Sequence, residues 1–474
     1  MEGAESMAEN GDALYSTSLT NIERLLHRAP YAIVTVVLRL RGRVNERSLR
    51  EAVAALVLKY PRLASRLAPG EDGTLRLTTE GAGEPWIRTV PRESPDHWIR
   101  AVDESCRVPF DFEARPPVRF LLIEGQRACD VVILCHHVLC DGLSLAWVAR
   151  DLAARLANPV LEMEPVPDPA PISRANVPAG TRVNGLVRMV IGNMNRRWAR
   201  EGMTFVQEDY RSLHRAYWER YGHGVHPVAL EEAETAALVE RCRAHGVTVN
   251  SALTAAFVGA QTRVLGQRED LERVAVAVNL RERMPRPPGE GMGFYAGMAR
   301  PRLRYDGRRG FWENAARYHS AIGRAMTDKA LFGELALWTY LDPGLLEAIP
   351  FKRLGGLVPA GAPRAARLGA FARREDVVQR MLQRNRMDTL ETRISGTAIT
   401  NLGAFDWPRE QGTLGLEGLI LKPGGGFPLS TVNLVIGAAT AAGRLNLVLE
   451  YAAGNLSASQ AEEIAGAALE LLEC

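Results

Sequence analysis

The chain has 474 residues, of which 46% are hydrophobic and 24% are charged. These proportions are typical of a globular protein and exclude disordered, collagen-like and coiled-coil chains. The 58 Lys and Arg residues nearly balance the 55 Asp and Glu residues, so a dedicated nucleic-acid-binding protein is not expected. The length allows either two or three ordinary domains or one large two-lobed unit.

Neither an export signal nor a membrane anchor stands out in the sequence. The N-terminus opens with acidic and small polar residues and lacks the basic start and apolar stretch of a signal peptide. No window approaches 18 uninterrupted apolar residues. The six cysteines include no Cys-x-x-Cys pair and no zinc-ligand spacing, which fits reduced thiols. We therefore expect a cytoplasmic protein without a membrane span.

The first half of the chain begins with a strand and an amphipathic helix. Residues 1–14 are expected to form a disordered tail. Residues 31–40 are rich in β-branched side chains, which indicates a buried strand. Asn45 is expected to cap a helix that runs to about Lys59, because apolar side chains recur there at helical spacing.

A hairpin and a second helix follow. Residues 118–123 and 130–135 predict two antiparallel strands joined by a short polar turn. Apolar residues at helical spacing over residues 145–156 predict a helix after the hairpin. Residues 158–180 are rich in proline and have no periodicity, so we interpret them as a linker between lobes.

The second half has the same mixture of elements without a repeat of the sequence. Helices are predicted at residues 230–245, 250–265 and 457–472, and strands at residues 274–280, 397–402, 431–438 and 445–451. Residues 185–202 are basic and amphipathic, which predicts a helix that bridges the lobes. We expect an α/β protein with lobes at residues 15–170 and 206–474, joined by a linker and bridging helix at residues 171–205.

The residues with the clearest chemical meaning lie at the end of the second hairpin strand. His136 and His137 end this strand, and Asp141 and Gly142 come just before the next helix. A histidine at a strand end projects into the cleft that the sheet borders, where a general base must lie to reach a substrate proton. Asp141 is expected to hold the loop or the imidazole, and Gly142 to adopt backbone angles that other residues resist.

The histidine pair also permits two interpretations without a general base. The rings could be packing residues of the core, or His136, His137 and Asp141 could bind a metal ion in a hydrolase. Adjacent side chains on a strand point to opposite faces, which disfavours a shared metal ion. The residues alone favour catalysis only slightly over packing.

The segment from His136 to Gly142 resembles the His-His-x-x-x-Asp-Gly motif of the condensation-domain and acyltransferase superfamily, which has the chloramphenicol acetyltransferase-like fold. Three further regions are similar to the family and occur in its order: residues 36–67, residues 278–281 with 293–295, and residues 400–403. The last region is similar to alcohol acyltransferases and polyketide-associated acyltransferases. The resemblance covers nearly the whole chain and implies two mixed α/β lobes with a substrate tunnel at their interface.

The resemblance also implies roles for individual residues. His137 would be the general base that deprotonates an acceptor hydroxyl or amine as it attacks a thioester carbonyl, without an acyl-enzyme. Asp141 would be structural and paired with Arg281, and His136 would orient the loop. The developing oxyanion needs a hydrogen-bond donor, which commonly contributes about 10²- to 10³-fold in rate. Thr400 and Asn401 are candidates for this role by position only.

The same resemblance indicates the reaction partners. It implies an acyl donor carried by CoA or by a carrier protein, a small alcohol or amine as acceptor, no bound cofactor, no metal ion and a monomer. The Asp-Phe-Gly-Trp-Gly motif of plant acyltransferases is absent, which disfavours that branch. The chain starts with its own methionine and has no carrier-protein-like extension, so a free-standing enzyme is expected.

Two alternative functions stay open beside a general acyltransferase. One is a free-standing condensation enzyme that forms an amide or ester in natural-product assembly, and the other is a non-catalytic protein that binds a carrier protein or ligand in the same cleft. Residues 423–427 lack the Lys-Ser/Thr ending of a phosphate-binding loop, so we expect a loop near the tunnel. The arginine-rich residues 364–386 are interpreted as a solvated helix face, in preference to a contact with CoA phosphates or an acidic carrier protein.

Overall fold

The computed structural model describes residues 14–70, 74–385, 396–407, 410–424 and 434–473. The strands in these ranges are β1 (Ser16–Ser18), β2 (Ile33–Arg41), β3 (Arg66–Pro69), β4 (Leu75–Thr78), β5 (Trp86–Pro91), β6 (Val118–Glu124), β7 (Ala128–His136), β8 (His223–Leu230), β9 (Val274–Asn279), β10 (Ala296–Ala299), β11 (Thr397–Phe405), β12 (Glu410–Gln411), β13 (Leu414–Lys422), β14 (Leu434–Ala441) and β15 (Arg444–Ala452). The helices are α1 (Asn21–His27), α2 (Glu46–Lys59), α3 (His97–Cys106), α4 (Gly142–Ala157), α5 (Gly185–Glu201), α6 (Gln207–Arg220), α7 (Glu232–Ala244), α8 (Val249–Leu265), α9 (Phe311–Ala325), α10 (Asp328–Trp338), α11 (Pro343–Leu354), α12 (Ala365–Arg373), α13 (Val377–Arg384) and α14 (Ala458–Glu473).

The first large sheet contains the strand that leads to the histidine pair. Its strand order is β12-β13-β2-β7-β6-β5. β7 is antiparallel to both β2 and β6, which confirms the predicted hairpin. Helices α3 and α4 pack against β7, so nearly all of its side chains are buried. Asn45 caps α2 as predicted, because its side chain accepts a hydrogen bond from the Ser48 backbone N–H.

The second large sheet has the order β10-β9-β11-β14-β15-β8. β11 is parallel to β9 and to β14, whereas the other pairs in this sheet are antiparallel. The first sheet is mixed as well, since β5 and β6 are parallel. The expected fold, two α/β lobes with mixed sheets, is confirmed. A small separate sheet has the order β1-β4-β3.

Some segments from the second half of the chain belong to the lobe that is built around the first sheet. β13 comes late in the chain but pairs with β2 of the first sheet, although we expected residues 206–474 to form only the second lobe. Helices α6, α11 and α12 also contribute to the core around the first sheet, through Tyr217, Phe351 and Leu368 among others. Apolar periodicity tells which face of an element is buried but not which sheet covers it. The domain boundary near residue 170 itself stays a prediction.

The two sheets meet where β13 passes β14. A Cβ atom at Gly437 would lie 2.2 Å from the Leu421 carbonyl oxygen, so only glycine allows this close approach. Lys422 at the end of β13 forms a buried ion pair with Glu450 of β15, with Nζ and Oε1 2.5 Å apart. The junction thereby fixes where the chain leaves β13, at Pro423.

The linker and the helix that follows it agree with the expectations from the sequence. Residues 158–178 form neither helix nor strand, and α5 agrees with the predicted helix at residues 185–202. The predicted tail at residues 1–14 lies outside the described residues except for Leu14. A search of the described ranges for a helix long and apolar enough to cross a membrane finds none.

Candidate active site

His137 directly follows β7 and lines a large cavity. Its backbone N–H donates to the Ala32 carbonyl oxygen at 2.8 Å. The imidazole Nδ1 lies 3.0 Å from the Cys140 carbonyl oxygen, and Nε2 lies 3.3 Å from the Pro423 carbonyl oxygen. The Phe294 ring meets the imidazole edge to face, with centroids 5.6 Å apart. These contacts fix both the position and the plane of the ring.

The surroundings favour a neutral His137 ring. Burial lowers the pKa of His137 below its usual value, although the Cys140 and Pro423 carbonyl groups oppose the shift in part. The shorter contact places the proton of the neutral ring on Nδ1, which donates to Cys140; this tautomer is assigned from the hydrogen-bond pattern. The lone pair of Nε2 is then free to accept a proton, as a general base requires.

His136 has a different environment from its neighbour. Its ring is buried against Phe110 and Phe112, in edge-to-face contact with each. Nε2 lies 3.2 Å from the Ala29 carbonyl oxygen, and Nδ1 accepts a hydrogen bond from the Val138 backbone N–H at 3.2 Å. His136 thereby holds the first residue of the turn that follows His137.

The positions of the two histidines do not support the alternative interpretation as a metal site. The His136 ring faces the aromatic core, whereas the His137 ring faces the cavity. Among the residues that the structure describes, no group of three His, Cys, Asp or Glu side chains is placed to hold a metal ion.

Asp141 joins the two lobes through Arg281. Arg281 Nη1 lies 3.0 Å from Asp141 Oδ2, and Nη2 lies 3.2 Å from Oδ1. Both side chains are buried, with relative exposures of 6% for Asp141 and 2% for Arg281. Burial by itself would raise the pKa of Asp141, but the guanidinium group and the backbone N–H groups of Ser144 and Tyr295 hold it below its usual value. Asp141 is therefore ionised in this geometry, and its carboxylate is engaged by Arg281 and by backbone N–H groups.

Additional side chains support this ion pair and were not recognised in the sequence. Ser144 accepts a hydrogen bond from Arg281 Nη2 at 2.7 Å, and its hydroxyl donates to the Gly293 carbonyl oxygen at 3.1 Å. The rings of Trp147 and Tyr295 lie 4.8 and 4.6 Å from the guanidinium carbon. The region around Gly293 was recognised only through its resemblance to the family, which did not indicate these contacts.

Gly142 differs from the expectation. It is the first residue of α4 and is absent from the glycines with positive φ, so the prediction of unusual backbone angles is wrong. A Cβ atom there would lie 3.5 Å from Leu402 and from Leu421, which is ordinary contact. Asp141 instead fixes the turn before α4. Its side chain caps the helix by accepting a hydrogen bond from the Ser144 backbone N–H at 2.8 Å.

The cavity has a volume of about 1010 Å³ and draws its walls from both lobes. His137, Asp141 and Leu421 come from the first sheet and its connections, and Ala277 and Thr400 from the second sheet. Most of its lining is apolar, but five arginines border it: Arg197, Arg300, Arg353, Arg380 and Arg384. The last two belong to the arginine-rich residues 364–386, for which we expected a solvated helix face. Arg380 is partly exposed and Arg384 is exposed, so the two side chains border the cavity while still in contact with solvent.

The two oxyanion candidates have different positions. Thr400 lines the cavity together with Ala398, since alternate residues of a strand share a face. Asn401 is not part of the lining; its Oδ1 accepts a hydrogen bond from the Gly403 backbone N–H at 2.8 Å. The register of β11 shifts at this point, and Gly403 has a φ of 82°. Asn401 therefore stabilises a β-bulge.

Two family models match the chain. Residues 23–169 match the condensation domain, and residues 222–331 match the C-terminus of phthiocerol/phthiodiolone dimycocerosyl transferase. An isonitrile lipopeptide synthase of Mycobacterium tuberculosis is 29% identical over 158 residues. The match covers 32% of this chain and only 6% of that much longer protein.

Solved structures resemble the chain over nearly its full length. Polyketide synthase associated protein 5 from Mycobacterium tuberculosis is 16% identical, with a TM-score of 0.56 and 96% of each chain covered. Trichothecene 15-O-acetyltransferase from Fusarium sporotrichioides is 12% identical, with a TM-score of 0.60, and the match covers 98% of this chain and 96% of the other. At these identities the likeness establishes the fold.

Proposed function

Because the chain belongs to the superfamily of condensation domains and related acyltransferases, we propose that it transfers an acyl group from a thioester to a hydroxyl or amine acceptor. One observation carries the proposal: His137 lines a cavity built by both lobes, and the contact of Nδ1 with the Cys140 carbonyl oxygen leaves Nε2 as the nitrogen that takes a proton. A thioester carbonyl and an acceptor can meet there with little competing water, since most of the lining is apolar.

The proposed reaction has one proton carrier. His137 Nε2 takes the proton of the acceptor hydroxyl or amine as the acceptor oxygen or nitrogen bonds to the thioester carbonyl carbon. The carbonyl electrons move onto oxygen and return when the carbon–sulfur bond breaks. The departing sulfur receives the proton from the imidazolium, which leaves a free thiol, an ester or amide, and the neutral histidine. No acyl-enzyme forms.

Thr400 is the candidate that we retain for the oxyanion. Its hydroxyl can donate one hydrogen bond, and its side chain lies in the cavity wall. Asn401 is not retained, because it does not line the cavity in which the oxyanion would form. In this proposal Asp141 and Arg281 keep the lobes in register and do not touch the substrate.

The acyl donor is proposed to carry a phosphate-bearing arm, as CoA and carrier-protein thioesters do. Arg197 of α5 and Arg380 and Arg384 of α13 supply positive charge to the cavity lining for such phosphates. The apolar lining of the same cavity suits an acyl chain or an acceptor of apolar character. We propose a monomer, since one chain supplies both walls of the cavity. A cytoplasmic location and the absence of a bound cofactor are further parts of this proposal.

A screen of thioester donors against alcohols and amines, followed by mass spectrometry, tests the proposal. A product whose mass equals the acceptor plus the acyl group, formed with an equal amount of free thiol, supports acyl transfer. Amide or ester formation only from carrier-protein donors would identify the narrower condensation reaction. A rise in Tm with a thioester that is never consumed, equal in wild type and His137→Ala, would identify a binding protein instead.

A further inference from the structure

One peptide bond connects the candidate base with a carboxylate of the other lobe. The carbonyl oxygen of the Pro423–Gly424 peptide lies 3.3 Å from His137 Nε2. The N–H of the same peptide donates to Glu450 Oε2 at 3.1 Å. Since the peptide unit is planar, Glu450 and His137 lie at opposite ends of one rigid group, and Glu450 holds its N–H end. Glu450 belongs to β15, so this link also crosses from one sheet to the other.

The orientation of this peptide is restricted. Gly424 has a φ of 71°, in the left-handed region that favours glycine. A Cβ atom there would lie 2.1 Å from the Ile33 carbonyl oxygen. Ile33 begins β2 and pairs with His136 in the sheet. The peptide is therefore packed against the same strand pair that positions the histidines.

Glu450 is a buried and ionised carboxylate. Its Oε1 lies 2.5 Å from Lys422 Nζ and 3.2 Å from His223 Nδ1. Burial by itself would raise the pKa of Glu450, but Lys422 and His223 lower it to about 2. Tyr217 lies 2.9 Å from the other nitrogen of His223 and fixes that ring. The negative charge is thus retained at neutral pH.

Few other titratable groups face this cluster. On the side of α3, Asp103 and Cys106 lie beside Lys422 in a small pocket. On the side of His137, the charges of Asp141 and Glu450 both oppose the lowering of the pKa of the ring. Asp141 is neutralised by Arg281. Lys422 neutralises part of the charge of Glu450 through Oε1, while Oε2 accepts the hydrogen bond from the Gly424 N–H.

We propose that Glu450 is a positioning residue for the His137 base. Its carboxylate fixes and polarises the Pro423–Gly424 peptide. The Pro423 carbonyl oxygen can then accept a hydrogen bond from Nε2–H while the ring is an imidazolium during acyl transfer. This inference rests on the proposed function, which makes His137 the proton carrier. The acceptor proton moves to Nε2 and then to the departing sulfur, and no covalent bond of Glu450 or of the peptide changes.

General principles support this role. Linked hydrogen bonds polarise one another, by about 10–30% per bond, so a carboxylate at the N–H end strengthens the carbonyl as an acceptor. In the neutral ring Nε2 carries no proton, so the 3.3 Å contact with the Pro423 carbonyl oxygen is not a hydrogen bond in that state. It is expected to shorten once Nε2 carries the positive charge, because charge-assisted hydrogen bonds are shorter and stronger.

Glu450→Gln tests the role, because glutamine keeps the size of the side chain and removes its charge. The pKa of His137 is measured by NMR with labelled histidine, and its signal is identified by its loss in His137→Ala. We expect this pKa to fall by about half a unit or more, because the imidazolium loses a stabilising charge. The acidic limb of the kcat/KM profile should move to lower pH with it. At pH 7, kcat should fall about tenfold with little change in KM.

Asp130→Asn is the matched control. Asp130 is a fully buried carboxylate at the opposite end of β7, bound by Arg39 at 2.9 Å and Arg92 at 3.2 Å. Its substitution should lower stability but leave the His137 pKa and the pH profile unchanged. If Glu450→Gln does not fold, Glu450→Asp retracts the carboxylate by one methylene group and should give a smaller shift in the same direction.

An unchanged His137 pKa in the folded Glu450 variant overturns the inference, even if activity falls. Turnover that persists in His137→Ala would instead overturn the proposed function, whatever Glu450 does. The NMR titration needs no substrate, so the two failures are distinguishable.

Discussion

Arg281 places its two terminal nitrogens 3.0 and 3.2 Å from the two carboxylate oxygens of Asp141, across the boundary between the lobes. Such a bidentate contact fixes orientation as well as distance. Asp141 also caps α4, the helix that follows the His137 turn. One aspartate therefore contributes both to the local turn and to the contact between the lobes.

Asp141→Asn should strongly destabilise the protein. The substitution leaves the buried Arg281 charge without its partner, and breaking such a pair by removing one side costs about 3–5 kcal/mol. Urea unfolding followed by fluorescence measures the loss. Glu51→Gln is the control, since it breaks the exposed Arg47–Glu51 pair, whose loss should have little effect on stability. Equal losses in the two variants would contradict the structural role of Asp141.

The free energy of unfolding should fall steeply as the pH drops below about 6.5. Burial lowers the pKa of His27 to about 4 and that of His214 to about 3, and it lowers that of His136 well below its usual value. Because these folded-state values lie below the unfolded-state value, their stabilisation is complete above about pH 6.5 and is lost as the pH falls toward them. Each such histidine adds about 1.4 kcal/mol per pH unit to the slope once only the unfolded chain is protonated.

His214→Phe provides the check on this slope. His214 packs against Tyr210 and Trp218, so a phenyl ring suits its site. The variant removes one proton-binding group from the unfolded chain and should flatten the slope between pH 6 and 4 by about 1.4 kcal/mol per pH unit. Denaturant titrations at a series of pH values measure this. A slope that equals that of the wild type would mean that His214 is protonated in the folded protein.

Ala277→Phe should block the cavity without unfolding the protein. Ala277 lines the cavity on β9, so a phenyl ring there displaces a substrate from its reacting position. A displacement of about 1 Å can cost about 10²-fold in rate, and we expect kcat/KM to fall by that order. Ala229→Phe on the exposed edge of β8 is the control and should leave turnover near that of the wild type. Full activity in Ala277→Phe would place the substrates elsewhere.

Much of the local structure follows from the sequence, whereas part of the site does not. The strand before His137, the helix after Asp141 and the cap at Asn45 follow from periodicity and side-chain chemistry. The contact of Arg281 with Asp141 was expected only through the family resemblance. No periodicity indicates it, because the two residues are 140 positions apart.

Glu450 and Lys422 illustrate what sequence patterns miss. Both lie in strands with buried residues on both faces, where a charged residue in the sequence simply interrupts an apolar run. Their ion pair depends on how β13 packs against β14 and β15 of the second sheet, and local patterns do not predict that packing. Gly142 shows the opposite error: a glycine was assigned an unusual conformation, but the neighbouring aspartate fixes the turn.

Turnover of His137→Ala, with a donor and acceptor identified by the screen, tests the assignment of His137 as the base. General-base catalysis commonly contributes about 10²- to 10⁴-fold, so kcat/KM should fall by that amount while Tm stays near that of the wild type. His226→Ala, on β8, is the matched histidine control and should retain activity. Turnover of His137→Ala equal to that of the wild type would contradict the assignment of His137 as the base.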